Sequence, residues 1–147
     1  MRLESQKYLF DVLEAANLIT EFCANETYER YSVSALLRSA VERQFVIAGE
    51  ALSQMGKIDP ATFERVPDAR QIVSFRNQLV HGYQTIDDLV VWGAVMNDLA
   101  GLRVVVEALL EEGETPGARR TNWMTRSPPR SIFRVASVGN FIDQARY

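Results

Sequence analysis

The sequence predicts an all-α protein: an up-and-down bundle of four main helices, with an additional short helix and an irregular C-terminal tail. Apolar residues recur at helical spacing through most of residues 1–112, and no stretch alternates polar and apolar residues as a strand would. Residues 113–147 lack a sustained period and contain several prolines and glycines. We therefore expect one helical domain over residues 1–112 and a tail over residues 113–147.

The first two helices are predicted from their apolar stripes. Residues 6–24 carry a stripe of Leu9, Val12, Leu13, Ala16, Ile19 and Cys23. A polar break at residues 25–27 follows. The stripe of residues 31–55 then comprises Val33, Leu37, Val41, Phe45, Ala48, Leu52 and Met55. These patterns predict a first helix and a long second helix that ends at Gly56.

Capping residues delimit the remaining helices. An Asp-Pro pair at 59–60 predicts a short third helix, and Asp68 is expected to cap a fourth helix that ends at Gly82. Asp87 or Asp88 is expected to open a single last helix that ends at Gly113. Its apolar stripe is Leu89, Trp92, Val95, Met96, Leu99, Leu102, Val106 and Leu109. Trp92 is therefore expected to pack in the core or at a dimer contact.

Composition and charge narrow the possible surroundings and partners. The chain is 47% apolar and has one cysteine, Cys23, which is expected to be buried and reduced. No apolar run is long enough to span a bilayer, so a cytoplasmic protein is expected. Residues 1–112 carry 10 basic and 17 acidic side chains, whereas residues 113–147 carry six arginines and two acidic residues. An acidic body argues against broad, nonspecific binding of nucleic acid.

The candidate catalytic residues lie in one segment, residues 75–83, with the sequence Phe-Arg-Asn-Gln-Leu-Val-His-Gly-Tyr. This segment contains the only histidine of the sequence. Arg76 precedes His81 by five residues, and Tyr83 follows two residues later. This segment resembles the signature of the HepT-like HEPN ribonuclease toxins, Arg-x4-His-x-Tyr. A Gly-Glu-Ala stretch at 49–51 and Val91-Trp92 are also similar to that family, so the resemblance covers residues 3 to about 112.

The resemblance implies a metal-independent endoribonuclease toxin that leaves a 2′,3′-cyclic phosphate or a related end. The chemistry of the imidazole and guanidinium groups is consistent with such a reaction. An imidazole exchanges protons near neutral pH, so His81 suits a ribose 2′-OH or a departing 5′-oxygen. The forked guanidinium of Arg76 suits the phosphate oxygens as negative charge builds up. Asn77 is expected either to bond the RNA or to hold the arginine, and the RNA target, tRNA or mRNA, stays open.

The resemblance also implies a partner, a minimal nucleotidyltransferase that serves as the antitoxin. In this family the antitoxin uses ATP to transfer AMP to the tyrosine of the motif, here Tyr83, and so silences the toxin. The added phosphate would compete with RNA for Arg76. No cofactor and no metal are expected for this chain, and the adjacent acidic pair Asp87-Asp88 is interpreted as a helix cap.

Helical geometry predicts that one straight helix does not bring Arg76 and His81 together. They lie about 140° apart around the axis and about 7.5 Å along it. Either the helix breaks near Gly82 or two copies share a cleft, as HEPN ribonucleases do, and we expect a homodimer. Glu50 is expected either to pair with Arg76 or to remain solvated. The alternative function is a noncatalytic HEPN module that binds nucleotide or docks a nucleotidyltransferase.

Overall fold

The structure of the chain is a computed structural model that describes residues 1–82 and 86–114. These residues form seven helices and no strand, which confirms the predicted all-α class. The helices are α1 (Leu3–Cys23), α2 (Tyr28–Val33), α3 (Ala35–Ile58), α4 (Pro60–Phe63), α5 (Ala69–His81), α6 (Asp88–Asn97) and α7 (Leu99–Gly113). Tyr83 and the tail from residue 115 onward lie outside the described residues.

Helix α3 is the central element of the bundle. It packs against α1 on one side and against α5 on another, and α7 covers a further side of α1. The core between these helices includes Leu9, Val12, Ile19, Cys23, Val41, Leu52, Met55, Val106 and Leu109, all buried. Burying a large aliphatic side chain contributes about 1.5–3 kcal/mol, so this shared core holds α1, α3 and α7 together. The burial of Cys23 confirms its predicted position.

The predicted second helix is divided into two. Ser34 separates α2 from α3, and its hydroxyl accepts a hydrogen bond from the Leu37 backbone N–H at 3.1 Å. A serine that caps a new helix competes with continuation of the previous one, which the apolar stripe did not reveal. Consequently Val33, predicted to belong to the buried stripe, is 82% exposed. The other residues of that stripe do face the core or pack against it.

Gly56 does not end α3, contrary to the prediction. The helix continues to Ile58, and Asp59 follows as its C-cap. A Cβ at Gly56 would lie 3.3 Å from the Phe63 ring, so the glycine leaves room for α4 to pack closely. Close packing with another helix can offset the cost of about 1 kcal/mol that glycine imposes inside a helix.

The predicted last helix is bent into α6 and α7, whose axes differ by 49° across Asp98. Asn97 and Asp98 are weak helix formers, and the bend lets α7 pack along α1. Leu89 and Met96, predicted to face the core, are 59% and 50% exposed because the stripe changes direction at the bend. Trp92 packs against the buried Tyr31 with ring centres 5.3 Å apart, which confirms its core position.

The helix starts predicted from aspartate caps are confirmed in position, but one of these aspartates makes no capping bond. Asp59 accepts a hydrogen bond from the Thr62 N–H at 3.1 Å, and Asp87 accepts one from the Leu89 N–H at 3.0 Å. Asp68 occupies the N-cap position of α5, but its side chain makes no capping bond and its backbone is left-handed, with φ of 56°. Gly82 ends α5 as predicted.

No single helix in the described ranges is long and apolar enough to cross a membrane. The bent pair formed by α6 and α7 reaches the required length and composition only when the two helices are taken together.

Candidate active site

Helix α5 carries the predicted site residues Arg76, Asn77 and His81 along an edge of the bundle. Only Ala69 of this helix is buried, whereas Ile72, Phe75 and Leu79 are partly buried against the core. The Phe75 ring contacts Phe45 of α3 edge-on, with ring centres 5.3 Å apart. This apolar contact fixes the rotation of α5 and so decides where its polar side chains point.

Arg76 is held by two polar contacts. One guanidinium nitrogen forms an ion pair with the Glu50 carboxylate of α3, and the other donates a hydrogen bond to the Asn77 side-chain oxygen at 2.6 Å. The Arg76 side chain is only 23% exposed. Glu50 was expected either to pair with Arg76 or to remain solvated, and Asn77 either to bond the RNA or to hold the arginine. In the structure both side chains bind Arg76.

A glycine lets α3 and α5 approach each other at this point. A Cβ at Gly49 would overlap the Cβ of Arg76 and lie 2.9 Å from its Cγ and 3.1 Å from the Ile72 carbonyl oxygen. Because any side chain there would push α5 away, Gly49 is needed to bring Arg76 beside Glu50. Sequence analysis placed this glycine in the Gly-Glu-Ala stretch without assigning it that role.

Glu50 remains charged under ordinary conditions. The Gln54 side chain donates a hydrogen bond to one carboxylate oxygen at 2.7 Å, while Arg76 binds the other. These contacts, led by that of Gln54, lower the pKa of Glu50 below its usual value, although partial burial opposes them. An ionised Glu50 restrains the guanidinium before any substrate binds.

His81 differs from Arg76 in its surroundings. It is the last residue of α5, it is exposed, and it makes no hydrogen bond or ion pair with any described residue. Gly82 follows it as the C-cap of α5, and the Gly82 N–H donates to the Gln78 carbonyl oxygen at 2.7 Å. The imidazole is thus free to reach a substrate or a second protein chain.

A groove between α1, α3 and α5 opens beside Arg76. We call it the Arg76 groove; its volume is about 280 Å³, and its polar lining includes Tyr8, Asp11, Arg43, Glu50, Gln54 and Arg76. His81 does not line it. Sequence analysis missed Tyr8 and Arg43 as site residues. The seven-residue spacing of Arg43 and Glu50, which puts both on one face of α3, was the available signal.

A larger cavity of about 480 Å³ lies between α5 and the α6–α7 pair. Its walls are mainly apolar, including Phe45, Phe75, Val91 and Leu102, and neither Arg76 nor His81 lines it. The smaller Arg76 groove is the better candidate for chemistry because it contains paired charges. Within residues 1–82 and 86–114, no group of three or more His, Cys, Asp or Glu side chains is arranged to hold a metal ion.

Comparison with known proteins gives concordant results. The model of the family described as "Ribonuclease HepT-like" matches residues 12–109, a range that contains Arg76 and His81. A Methanocaldococcus jannaschii protein, named as a candidate RNase, is 33% identical over 100 residues, covering 68% of this chain and 91% of that protein. A Thermococcus cleftensis protein with the name "Probable ribonuclease HepT" is 31% identical over 112 residues, covering 74% and 98%. No solved structure matches the chain significantly.

Proposed function

Because the chain belongs to the HepT-like HEPN ribonuclease family, we propose that it is a metal-independent endoribonuclease toxin of a toxin-antitoxin pair. The observation that carries the proposal is the arrangement of α5: a restrained guanidinium, Arg76, and an exposed imidazole, His81, at the end of the same helix. A cytoplasmic location, where RNA is available, belongs to the same proposal.

The reaction follows from these two groups. The ribose 2′-oxygen attacks the neighbouring phosphorus, the bond from phosphorus to the 5′-oxygen breaks, and a 2′,3′-cyclic phosphate and a 5′-hydroxyl result. An imidazole at His81 accepts the 2′-OH proton or, when protonated, supplies the proton that the 5′-oxygen takes up. Arg76 stabilises the negative charge that accumulates on the nonbridging oxygens.

A homodimer with a shared cleft is part of this proposal. Arg76 turns toward α3, whereas His81 extends into solvent from the end of α5, so one copy leaves the two groups on different sides. Two copies that meet through α5 would place the imidazole of one near the guanidinium of the other. We expect light scattering to give a dimer. Mixing refolded Arg76→Ala and His81→Ala subunits should also restore part of the cleavage that each variant lacks.

The proposed antitoxin is a minimal nucleotidyltransferase that transfers AMP from ATP to Tyr83. Tyr83 lies outside the described residues, and the support is its place two residues after His81 in the motif. Intact-mass measurement after coexpression with the nucleotidyltransferase should show added AMP on the wild type and none on Tyr83→Phe. An unmodified wild type that is nevertheless inhibited would replace AMP transfer by simple steric blocking.

The proposed ribonuclease activity is tested by induced expression without a partner. Wild type, Arg76→Ala and His81→Ala are expressed in parallel, with Arg70→Ala as a control because Arg70 is an exposed arginine of α5 that pairs with Glu64 and does not line the Arg76 groove. Growth arrest with new RNA ends is expected for the wild type and Arg70→Ala alone. Equal behaviour of all four folded proteins would reject catalysis and favour the noncatalytic docking module.

A further inference from the structure

The Arg76 groove extends well beyond the guanidinium of Arg76. Along α3 it runs from Glu50 to Arg43, seven residues or about 10 Å away, and α1 forms its other wall through Tyr8 and Asp11. Because Arg76 is held at Glu50, the two arginines belong to different positions along the groove. The distance suits a second phosphate in the same strand.

Arg43, unlike most arginines within residues 1–82 and 86–114, pairs with no carboxylate of those residues. In the part of the chain that the structure describes, ion pairs with carboxylates are formed by Arg30, Arg38, Arg65, Arg70 and Arg76. Arg43 is exposed, lines the groove, and forms no salt bridge or hydrogen bond with any described residue. An unpaired guanidinium on the wall of a groove can bind an anionic ligand without first breaking an ion pair, and its fork of N–H donors suits a phosphate.

Tyr8 adds an aromatic ring to the same groove. It is partly buried against the core, which restrains the ring, and the Lys7 ammonium lies 6.0 Å from the ring centre. Bases of single-stranded nucleic acid stack on such rings, and nearby cations bind the adjoining phosphates. The carboxylates of Asp11 and Glu50 limit the positive charge of the groove and can accept hydrogen bonds from ribose hydroxyls or base amino groups.

We propose that the Arg76 groove is an RNA subsite, in which Arg43 binds the phosphate of a nucleotide next to the cleaved bond and Tyr8 packs against its base. The proposal rests on the proposed ribonuclease function and adds two residues to it. A single RNA strand fits better than a free nucleotide because the two arginines are separated along the groove and call for two phosphates on one chain.

The test is RNA binding in the His81→Ala background, which prevents cleavage. Fluorescence anisotropy with a labelled single-stranded RNA of about 16 nucleotides is measured between about 50 and 200 mM salt. Arg43→Ala should weaken binding about tenfold and reduce the salt slope by about 0.7, the contribution of one phosphate contact. Arg43→Lys should retain the slope, and Arg70→Ala, which removes an exposed charge that does not line the groove, should change neither quantity.

The contribution of Tyr8 to RNA binding is tested with two variants, one that removes the aromatic ring and one that keeps it. Tyr8→Leu should weaken binding about fivefold with an unchanged salt slope, because stacking involves no counterion release. Tyr8→Phe keeps the ring and should bind like the background protein. A folded Tyr8→Leu that binds as tightly as Tyr8→Phe would remove the base contact from the proposal.

Failure of the subsite and failure of the proposed function give different results. If the wild type cleaves RNA in cells but Arg43→Ala has the affinity and slope of Arg70→Ala, the subsite is rejected and the ribonuclease stands. If the His81→Ala protein binds no RNA at any salt concentration and the wild type cleaves none, both proposals are rejected. Equal loss of affinity for a labelled mononucleotide and for the RNA would reassign the groove to a free nucleotide and overturn the RNA subsite.

Discussion

The polar side chains in the middle of α5 and at its C-terminal end have opposite surroundings. Arg76, in the middle, is partly buried and is held by Glu50, Asn77 and the close approach of Gly49. His81, at the end, is exposed and has no hydrogen bond or ion pair within the described residues. The two regions are separated by only about 7.5 Å along the helix axis.

Under the proposed function, this difference implies that the two groups are prepared for the reaction in different ways. Folding of one chain orients the guanidinium in advance, so little reorganisation is needed when a phosphate replaces Glu50 as its partner. The imidazole is not oriented by the described part of the chain. In the proposed shared cleft, RNA or a second copy of the protein would orient it.

The largest effect expected is that of His81→Ala. Loss of proton transfer should lower kcat for RNA cleavage about 10²- to 10⁴-fold. The free energy of unfolding should stay within about 0.5 kcal/mol of the wild type, because the side chain is exposed and makes no polar contact with residues 1–82 or 86–114. Urea unfolding and single-turnover cleavage measure the two quantities. A loss of several kcal/mol in the free energy of unfolding, as expected for truncation of a buried side chain, would show that the imidazole makes stabilising contacts in the folded protein.

The second prediction concerns Gly49→Ala, which acts on the Arg76 side alone. The added methyl group must displace α5, so we expect a loss of about 1–3 kcal/mol in the free energy of unfolding together with weaker cleavage. Gly93→Ala is the matched control, since a Cβ there meets nothing within 4 Å. That variant should be unchanged or stabilised by up to about 1 kcal/mol. Equal thermal unfolding of the two variants would contradict the close packing at Gly49.

The third prediction concerns Glu50→Gln, which keeps the size of the side chain and removes its charge. Looser orientation of Arg76 should lower kcat about tenfold, while KM does not rise because the groove loses a negative charge. Glu112→Gln serves as the control, because Glu112 pairs with Arg65 and does not line the groove. Steady-state kinetics in which the two variants have the same kcat would exclude a positioning role for Glu50.

The smallest effect expected is a pH dependence of stability due to Glu50. Its folded-state pKa lies below 4.5, so its ionised form stabilises the protein fully above pH 4.5, and this contribution is lost as pH falls through the lower, folded-state value. Because the side chain is 43% exposed, the contribution should be only about 0.5 kcal/mol. Urea unfolding should give the wild type a higher free energy of unfolding than Glu50→Gln at neutral pH, and this difference should disappear as the pH falls below 4.5. A difference in the free energy of unfolding that does not depend on pH would mean that side-chain packing, and not the charge of Glu50, causes it.

Local signals in the sequence predicted the helices and most of their ends well. Asp59 and Asp87 begin helices by bonding to backbone N–H groups two or three residues away, and Gly82 ends α5. Two of the errors occurred where distant contacts outweighed local preference, whereas the division at Ser34 came from a local cap that the apolar stripe did not reveal. Gly56 stays inside α3 because Phe63 packs on it, and the chain bends at Asp98 so that α7 can follow α1.

The sequence by itself determined the all-α class and the order of Arg76, Asn77 and His81 along one helix, because periodicity and motif spacing are local properties. Only the tertiary structure decided which side chains surround Arg76. Glu50, Arg43 and Tyr8 come from two other helices, and their meeting depends on how closely α3 and α5 pack at Gly49. Such contacts arise from the burial of a shared core, which no single segment of the chain specifies.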